Sequence, residues 1–373
     1  MEGVLAAHDM TRCEVHLYSD VRQPDATTAR LVANVDGYHP TWQLSHAELA
    51  TLCRSHGVDV LIDLQGHMQP NRLPALALGA ADVVLTYLGY PGSTGIPWLA
   101  GRLTDGWADP EDDPQQIGPE LPLRIAGGYL AYTPPPDAPA PASPPSAGGF
   151  TFGSFNDALK LNDEVLATWA ELLSRCDARL LLKTRALAWP AVRERVLSAF
   201  SARGVDPARI ELCAATAGRR EHLELYARVD VALDTFPYAG ATTTCEALYM
   251  GVPVVTLAGD RHAARMGVFA LPLTVGAARL RVEKRAGVAA IRSTRADQLQ
   301  QVQLAAWSGD QLRQQLKPAR ALEVHLLTQP ARSYATTPAR QRERAANTPW
   351  YSTRFLCGLG MSATSLARKS RGS

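Results

Sequence analysis

"VDVALDTFPYAGATTTCEALYMGVPVVTL", residues 229–257, decides how the second half of this chain folds. Its first seven residues form an apolar run of strand length, and "VPVVTL" at its end is another. Between them "TTTCEALYMG" has helical spacing and finishes on Gly251, a residue suited to closing a helix. Strand, helix, strand over so short a stretch is the unit of a parallel sheet with crossover helices. Thr242, Thr243 and Thr244 therefore follow the carboxyl end of a strand and open a helix. A helix start leaves about four backbone N–H groups without intrahelical partners and carries partial positive charge, so it attracts an anion, most often phosphate. Three hydroxyls would add donors there, and Gly240 would let the backbone approach closely. The plainer alternative is one threonine acting as an N-cap with two bystanders. Glu246, counted into the first turn of that helix, suits a ribose diol or simply the helix dipole.

The alternation continues outward. Upstream lie "FTFGSFN" (150–156), helical "DEVLATWAELLSRC" (163–176), "ARLLLKT" (178–184), a helix around Val192 to Phe200, "RIELC" (209–213) and helical "RREHLELYARV" (219–229). These make a doubly wound α/β domain. An earlier region offers strand "CEVHLYS" (13–19), helical "HAELATLCRSHG" (46–57), and strands "VDVLIDL" (58–64) and "DVVLTYL" (82–88), which run into "QGHMQPNR" and "GYPGSTG". This also reads as parallel pairing with crossover helices. Residues 132–149, "YTPPPDAPAPASPPSAGG", have the composition of an extended spacer. The expected division is thus an N-terminal lobe at 1–131, a Pro-rich linker at 132–149, a C-terminal lobe at 150–267 and a basic tail at 268–373. No internal repeat is visible.

Bulk properties bound the function. A chain of 373 residues with 46% apolar content is long enough for two ordinary cores. The six cysteines show neither CxxC nor metal-ligand spacing and read as core residues of a reducing cytosol. No apolar run reaches the roughly 18 residues of a membrane span, and Glu2, His8 and Asp9 do not resemble a signal peptide, so a cytoplasmic protein without membrane contact is expected. From Arg261 onward 19 Lys and Arg stand against 5 Asp and Glu, leaving 19 of the 38 basic and 31 of the 36 acidic residues before it. Those tail cations are interleaved with Gln, Ala, Thr and Ser, which reads as a solvated segment; nucleic-acid binding is not expected.

"GSFNDALKLNDE" (153–164) offers a second anion site on the carboxyl edge of the second sheet, with Asn156 and Lys160 where a loop enters a helix. A lysine there could neutralise a leaving diphosphate, or be an ordinary exposed lysine.

Together these stretches carry a resemblance. "FGSFN…K", "REHL…ARVDVALDTFPYAGATTTCEALYMGVPVVTLAGDRHAAR", "VLIDLQGH…NR" and "LGYPGSTG" resemble, in order, the catalytic region of the protein O-GlcNAc transferase and SPINDLY family of glycosyltransferases, over roughly residues 10 to 267. The resemblance implies a GT-B architecture, two Rossmann-like doubly wound domains facing a cleft, with the nucleotide sugar held mainly by the second. It implies that Lys160 contacts the donor diphosphate and that the helix start at Thr242 to Thr244 binds phosphate. It further places His222 beside the nucleotide base, Arg219 near another donor-contacting basic position, and Glu246 where animal members carry a ribose-binding aspartate. Ala241 stands where those members have a histidine.

Glycosyl transfer needs the diphosphate charge stabilised and a route for the acceptor proton. Lys160 and the helix dipole supply the first. Asp63 and His67 are the titratable groups nearest the carboxyl edge of the first sheet, although a lone histidine after a strand is commonly structural. No DxD-like acidic pair stands at a strand end, so no metal and no cofactor are expected. The family's His-Pro opening segment and helical repeat array have no counterpart here, which implies that the first strand and part of the acceptor side are missing, and past about Gly267 the resemblance fades. The expected function is transfer of GlcNAc from UDP-GlcNAc to Ser or Thr hydroxyls of a protein acceptor. Alternatives are a nucleotide-sugar-binding pseudoenzyme or gene fragment, or a GT-B enzyme using GDP-fucose or UDP-glucose.

Overall fold

A computed structural model describes residues 1–111, 118–125, 128–141 and 149–269, together with the backbone of four later strands. The chain divides between Thr133 and Pro134 into two units, the first of which also takes in the strand Thr364–Ala367.

The first unit contains β1 (His16–Ser19), β2 (Gly37–Pro40), β3 (Val60–Asp63), β4 (Val83–Thr86), β5 (Gly101–Thr104) and β6 (Leu121–Arg124). They lie in the order β2-β1-β3-β4-β5-β6, with Thr364–Ala367 inserted antiparallel between β1 and β3 and every other pairing parallel. Its helices are α1 (Glu2–Ala6), α2 (Ala26–Val32), α3 (His46–Ser55) and α4 (Leu73–Ala77). Local sequence sets their starts. Asp25 with Thr28, and Ser45 with Glu48, form reciprocal capping boxes that satisfy backbone donors at the starts of α2 and α3. β2, β5 and β6 were not among the expected strands, because "GYHP", "GRLT" and "LPLR" are short and carry Gly or Pro rather than an apolar run.

The second unit holds a five-stranded parallel sheet of β7 (Phe150–Ser154), β8 (Ala178–Lys183), β9 (Ile210–Cys213), β10 (Val231–Leu233) and β11 (Val254–Val255). The order is β11-β10-β7-β8-β9. Alternate residues of these strands bury opposite faces. Phe152, Leu180, Leu182, Val231 and Leu233 pack with Val165, Leu166, Trp169 and Leu173 of α5 (Asp163–Ser174) and with Val196 and Phe200 of α6 (Pro190–Ser201). Leu181, Ala232 and Val254 pack on the other side with Leu223 of α7 (Arg219–Glu224) and with Ala247 of α8 (Thr242–Tyr249). Helices on both faces make this sheet doubly wound. Full burial of a side chain such as Phe200 contributes about 1.5–3 kcal/mol.

Cys53 and Cys245 are buried while Cys13, Cys176 and Cys213 are half-buried, all as free thiols; Cys357 lies outside the described residues. The expectations for residues 142–148 of the linker and for most of the tail also lie outside them. Within the tail, residues 280–285, 288–293 and 302–303 form an antiparallel sheet.

Candidate active site

The order of the second sheet reverses between β7 and β10, and open α/β sheets hold ligands just beyond the carboxyl ends of strands at such a point. β7 leads to Asn156 and β10 to Asp234, both buried. Asp234 is the hub. Its Oδ1 accepts from the N–H groups of Gly240 (2.6 Å) and Thr235 (2.8 Å) and from Asn156 Nδ2 (3.2 Å), while Oδ2 accepts from the Thr256 hydroxyl (2.8 Å). Burial pushes its carboxyl up to about 6, against the pull of these donors and of Lys160. A Cβ on Gly240 would lie 2.6 Å from Thr243 Oγ1 and 2.9 Å from Asn156 Oδ1, so the turn admits only glycine.

Three side chains tie the loop after β7 to the turn after β10. Besides Asn156, Lys160 Nζ donates to the Ala239 carbonyl at 2.8 Å, and Asn162, the N-cap of α5, donates to the Phe236 carbonyl at 2.8 Å. Lys160 also sits over the Tyr238 ring, 4.1 Å from its centroid. Burial lowers its affinity for a proton, and Asp234 and Asp157 partly restore it. The ammonium is thus held at the turn that opens α8 rather than in bulk water.

No threonine caps that helix. Its N-cap is Ala241, without a side-chain hydrogen bond, which overturns the N-cap alternative. The hydroxyls are also unequal: Thr242 is exposed, Thr244 is buried, and Thr243 donates to Asn156 Oδ1 at 3.1 Å. Glu246 lies in the second turn of α8, not the first, so the dipole reading of it fails. Its carboxylate is 3.0 Å from His222 Nε2, whose Nδ1 is 2.8 Å from Lys183 Nζ. An ammonium only donates, so His222 accepts at Nδ1 and gives its Nε2 proton to Glu246. Phe155 packs 5.6 Å from His222 and 4.3 Å from Tyr226, ring centroid to ring centroid, and the Tyr226 hydroxyl donates to the Thr243 carbonyl at 3.0 Å. Arg219 is exposed at the first position of α7.

In the first unit Asp63 ends β3 and His67 follows in the loop. Asp63 is bonded into the loop that follows it. It is buried, its Oδ2 accepts from Gly66 N (2.7 Å) and its Oδ1 from Gln65 N (3.3 Å), so it braces the loop. Desolvation raises its pKa. His67 is exposed, edge-on to Tyr90, with Nε2 donating to the Ser93 carbonyl at 3.0 Å. That bond leaves Nδ1 with the lone pair. Glu120 Oε1 orders "GYPGSTG" by accepting from Thr94 N and Thr94 Oγ1, each at 2.6 Å, and from Ser93 Oγ at 3.1 Å.

Residues 145–316 match glycosyl transferase family 41. The chain is 40% identical over 285 residues to a probable UDP-N-acetylglucosamine–peptide N-acetylglucosaminyltransferase SPINDLY of Solanum lycopersicum, a match covering 74% of this chain and 30% of the relative. It is 39% identical to a solved O-GlcNAc transferase mutant from Thermobaculum terrenum, with a TM-score of 0.68 over 72% of this chain and 51% of that one. The chain carries a family 41 glycosyltransferase catalytic region. It spans about a third of the length of the curated relatives it matches. The two parallel α/β units agree with the GT-B fold class expected from the sequence.

Within this family 41 region Asn156 bonds the buried Asp234 carboxylate, Thr243 bonds Asn156, Lys160 bonds the turn that Asp234 braces, and His222 and Glu246 meet each other. Asp234 itself, Lys183 and Tyr238 escaped the sequence reading. The signal for Asp234 was present in "LDTFPYAG", an acid directly after a buried strand and ahead of a tight turn. Lys183 and Tyr238 carried no comparable mark, because their meaning comes from partners distant in sequence.

Proposed function

We propose that this chain moves N-acetylglucosamine from UDP-GlcNAc to Ser or Thr hydroxyls of proteins. One observation carries the reading: an uncapped helix start at the sheet's reversal point, with the Lys160 ammonium bonded to the same turn. The tomato relative's name, a UDP-N-acetylglucosamine–peptide transferase, supports the choice of donor and acceptor. In this reading the diphosphate lies against the N–H groups opening α8, where Lys160 exchanges its bond to Ala239 for phosphate oxygen. The nucleoside lies toward His222, Glu246 and the Phe155–Tyr226 rings, with Arg219 at its margin.

As the bond from the anomeric carbon to phosphate breaks, the acceptor oxygen bonds to that carbon and UDP leaves with the electron pair. The acceptor proton passes to His67 Nδ1. Lys160 and α8 neutralise the growing charge on UDP without a divalent ion or other cofactor. No helix among the described residues is long and apolar enough to cross a membrane, and the reading places the enzyme in the cytoplasm.

Calorimetric titration with UDP, and with GDP as control, tests the donor site directly. Micromolar UDP binding with much weaker GDP binding is expected, followed by turnover of UDP-GlcNAc on an acceptor peptide. Binding of neither nucleotide would hand the chain to the fragment alternative, UDP binding without turnover to the pseudoenzyme, and preference for GDP would point to a GDP-sugar donor.

A further inference from the structure

Three imidazoles that play no part in this reading meet in the first unit. The parallel register of β1 and β2 pairs His16 with Gly37 and Tyr18 with His39, so all four lie on one face of the sheet. His56, the C-cap residue just after α3, joins them. One ring nitrogen from each of His16, His39 and His56 lies within 4.8 Å of the other two. His16 Nδ1 and His39 Nε2 are 2.8 Å apart, and the His39 and His56 ring centroids are 4.4 Å apart.

The surroundings fit ligation. Glu14 Oε1 accepts from His16 Nε2 at 2.8 Å, which turns the unprotonated Nδ1 inward, the arrangement by which carboxylates orient metal-binding histidines. The Tyr18 hydroxyl holds His56 Nδ1 at 2.6 Å. Gly37 leaves the space open: a Cβ there would collide with His16 Nδ1 and lie 3.0 Å from His39 Nε2.

We infer that His16, His39 and His56 form a binding site for a divalent transition-metal ion of the imidazole-preferring class, tying β1, β2 and α3 together. Around zinc, with bonds of about 2.0–2.1 Å, tetrahedral ligand nitrogens stand about 3.3 Å apart. The 2.8 Å pair is a hydrogen bond from His39 Nε2 to His16 Nδ1, so the ion displaces that proton and opens the pair by about half an ångström. Three nitrogens leave the fourth position to water. The site begins at the amino end of β1, whereas Asp63 and His67 follow the carboxyl end of β3, so the ion takes no part in the transfer step.

Full-length protein stripped with a chelator and titrated with Co2+ tests the inference. One equivalent should develop the intense visible absorption of a four-coordinate ion without thiolate charge-transfer bands, and Zn2+ should displace it. Glu14→Gln should weaken zinc binding about 10–100-fold, and His39→Gln by more. Failure to saturate, a pale octahedral spectrum, thiolate bands, or affinity unchanged in Glu14→Gln would each overturn it. Glu14→Gln keeps all three imidazoles, so its result stands whether or not His39→Gln folds.

Discussion

Asp63 and Asp234 occupy the same place in two different sheets. Each follows or ends a buried parallel strand, each is desolvated, and each accepts backbone N–H groups from the loop that follows. They differ in what they hold. Asp63 braces a short loop that displays one imidazole, whereas Asp234 also gathers Asn156 and Thr256 and so fixes the turn that opens α8. A buried acid at a strand end is thus an organiser in both units, and the proposed function gives the chemistry to groups on the loops they brace, His67 in one and Lys160 with α8 in the other.

Under that division, removing the group that carries the charge should affect turnover without unfolding the chain. Lys160→Ala is expected to lower transfer about a thousandfold, the upper range for loss of one charge-stabilising group, while the unfolding midpoint stays near wild type. Turnover on an acceptor peptide beside a denaturant melt measures both. Full activity in the variant would remove Lys160 from the mechanism, and a collapsed midpoint would make it an organiser like Asp234.

The organiser itself should reveal its charge in the pH dependence of stability. Its folded carboxyl titrates near about 6 against an ordinary 3.8, so the folded chain retains a proton that the unfolded chain has released in between. Stability from this group is therefore highest below about pH 4 and falls by about 3 kcal/mol as pH rises through 6. Asp234→Asn should flatten that component. Denaturant midpoints of both proteins at several pH values between about 4 and 7 supply the comparison, and a constant difference would contradict the desolvated carboxylate.

On the other sheet, His67→Gln preserves a donor toward the Ser93 carbonyl but removes the basic nitrogen. Turnover should drop about a hundredfold with UDP affinity unchanged. A loss of UDP affinity instead would show that His67 acts on the donor.

These contrasts also mark what could be read from sequence. Strand runs such as "ARLLLKT" and "VDVALDT", and the helix between Asp163 and Cys176, carry their own periodicity, so the second sheet and its doubly wound character were legible. Lys160 and Thr243 were legible as polar residues at strand ends. Illegible was the wiring. That Lys160 bonds to Ala239 and that His222 lies between Lys183 and Glu246 depends on contacts from 24 to 79 residues apart, which no local pattern encodes. The three-histidine cluster was hidden for the same reason, since β2 lacks an apolar signature and its register with β1 creates the site.

The smallest expected effect separates the three threonines. An anion needs donors, and the Thr243 hydroxyl proton already goes to Asn156 Oδ1, so Thr243 positions the turn rather than gripping phosphate. Thr243→Val loses one hydrogen bond inside a buried network and should weaken UDP binding about tenfold, about 1.4 kcal/mol. Thr243→Ser keeps the hydroxyl and should restore it. Thr242 is exposed at the helix start and Thr244 is buried behind it, so the proposed function gives the diphosphate the Thr242 hydroxyl and, from Thr244, only the backbone N–H. Calorimetry on Thr243→Val, Thr243→Ser and Thr242→Val orders these roles. Equal losses at Thr242 and Thr243, with no rescue by serine, would mean that the methyl packing of this turn matters more than its hydroxyls, and the Asn156–Thr243 bond would then be a consequence of the fold rather than its support.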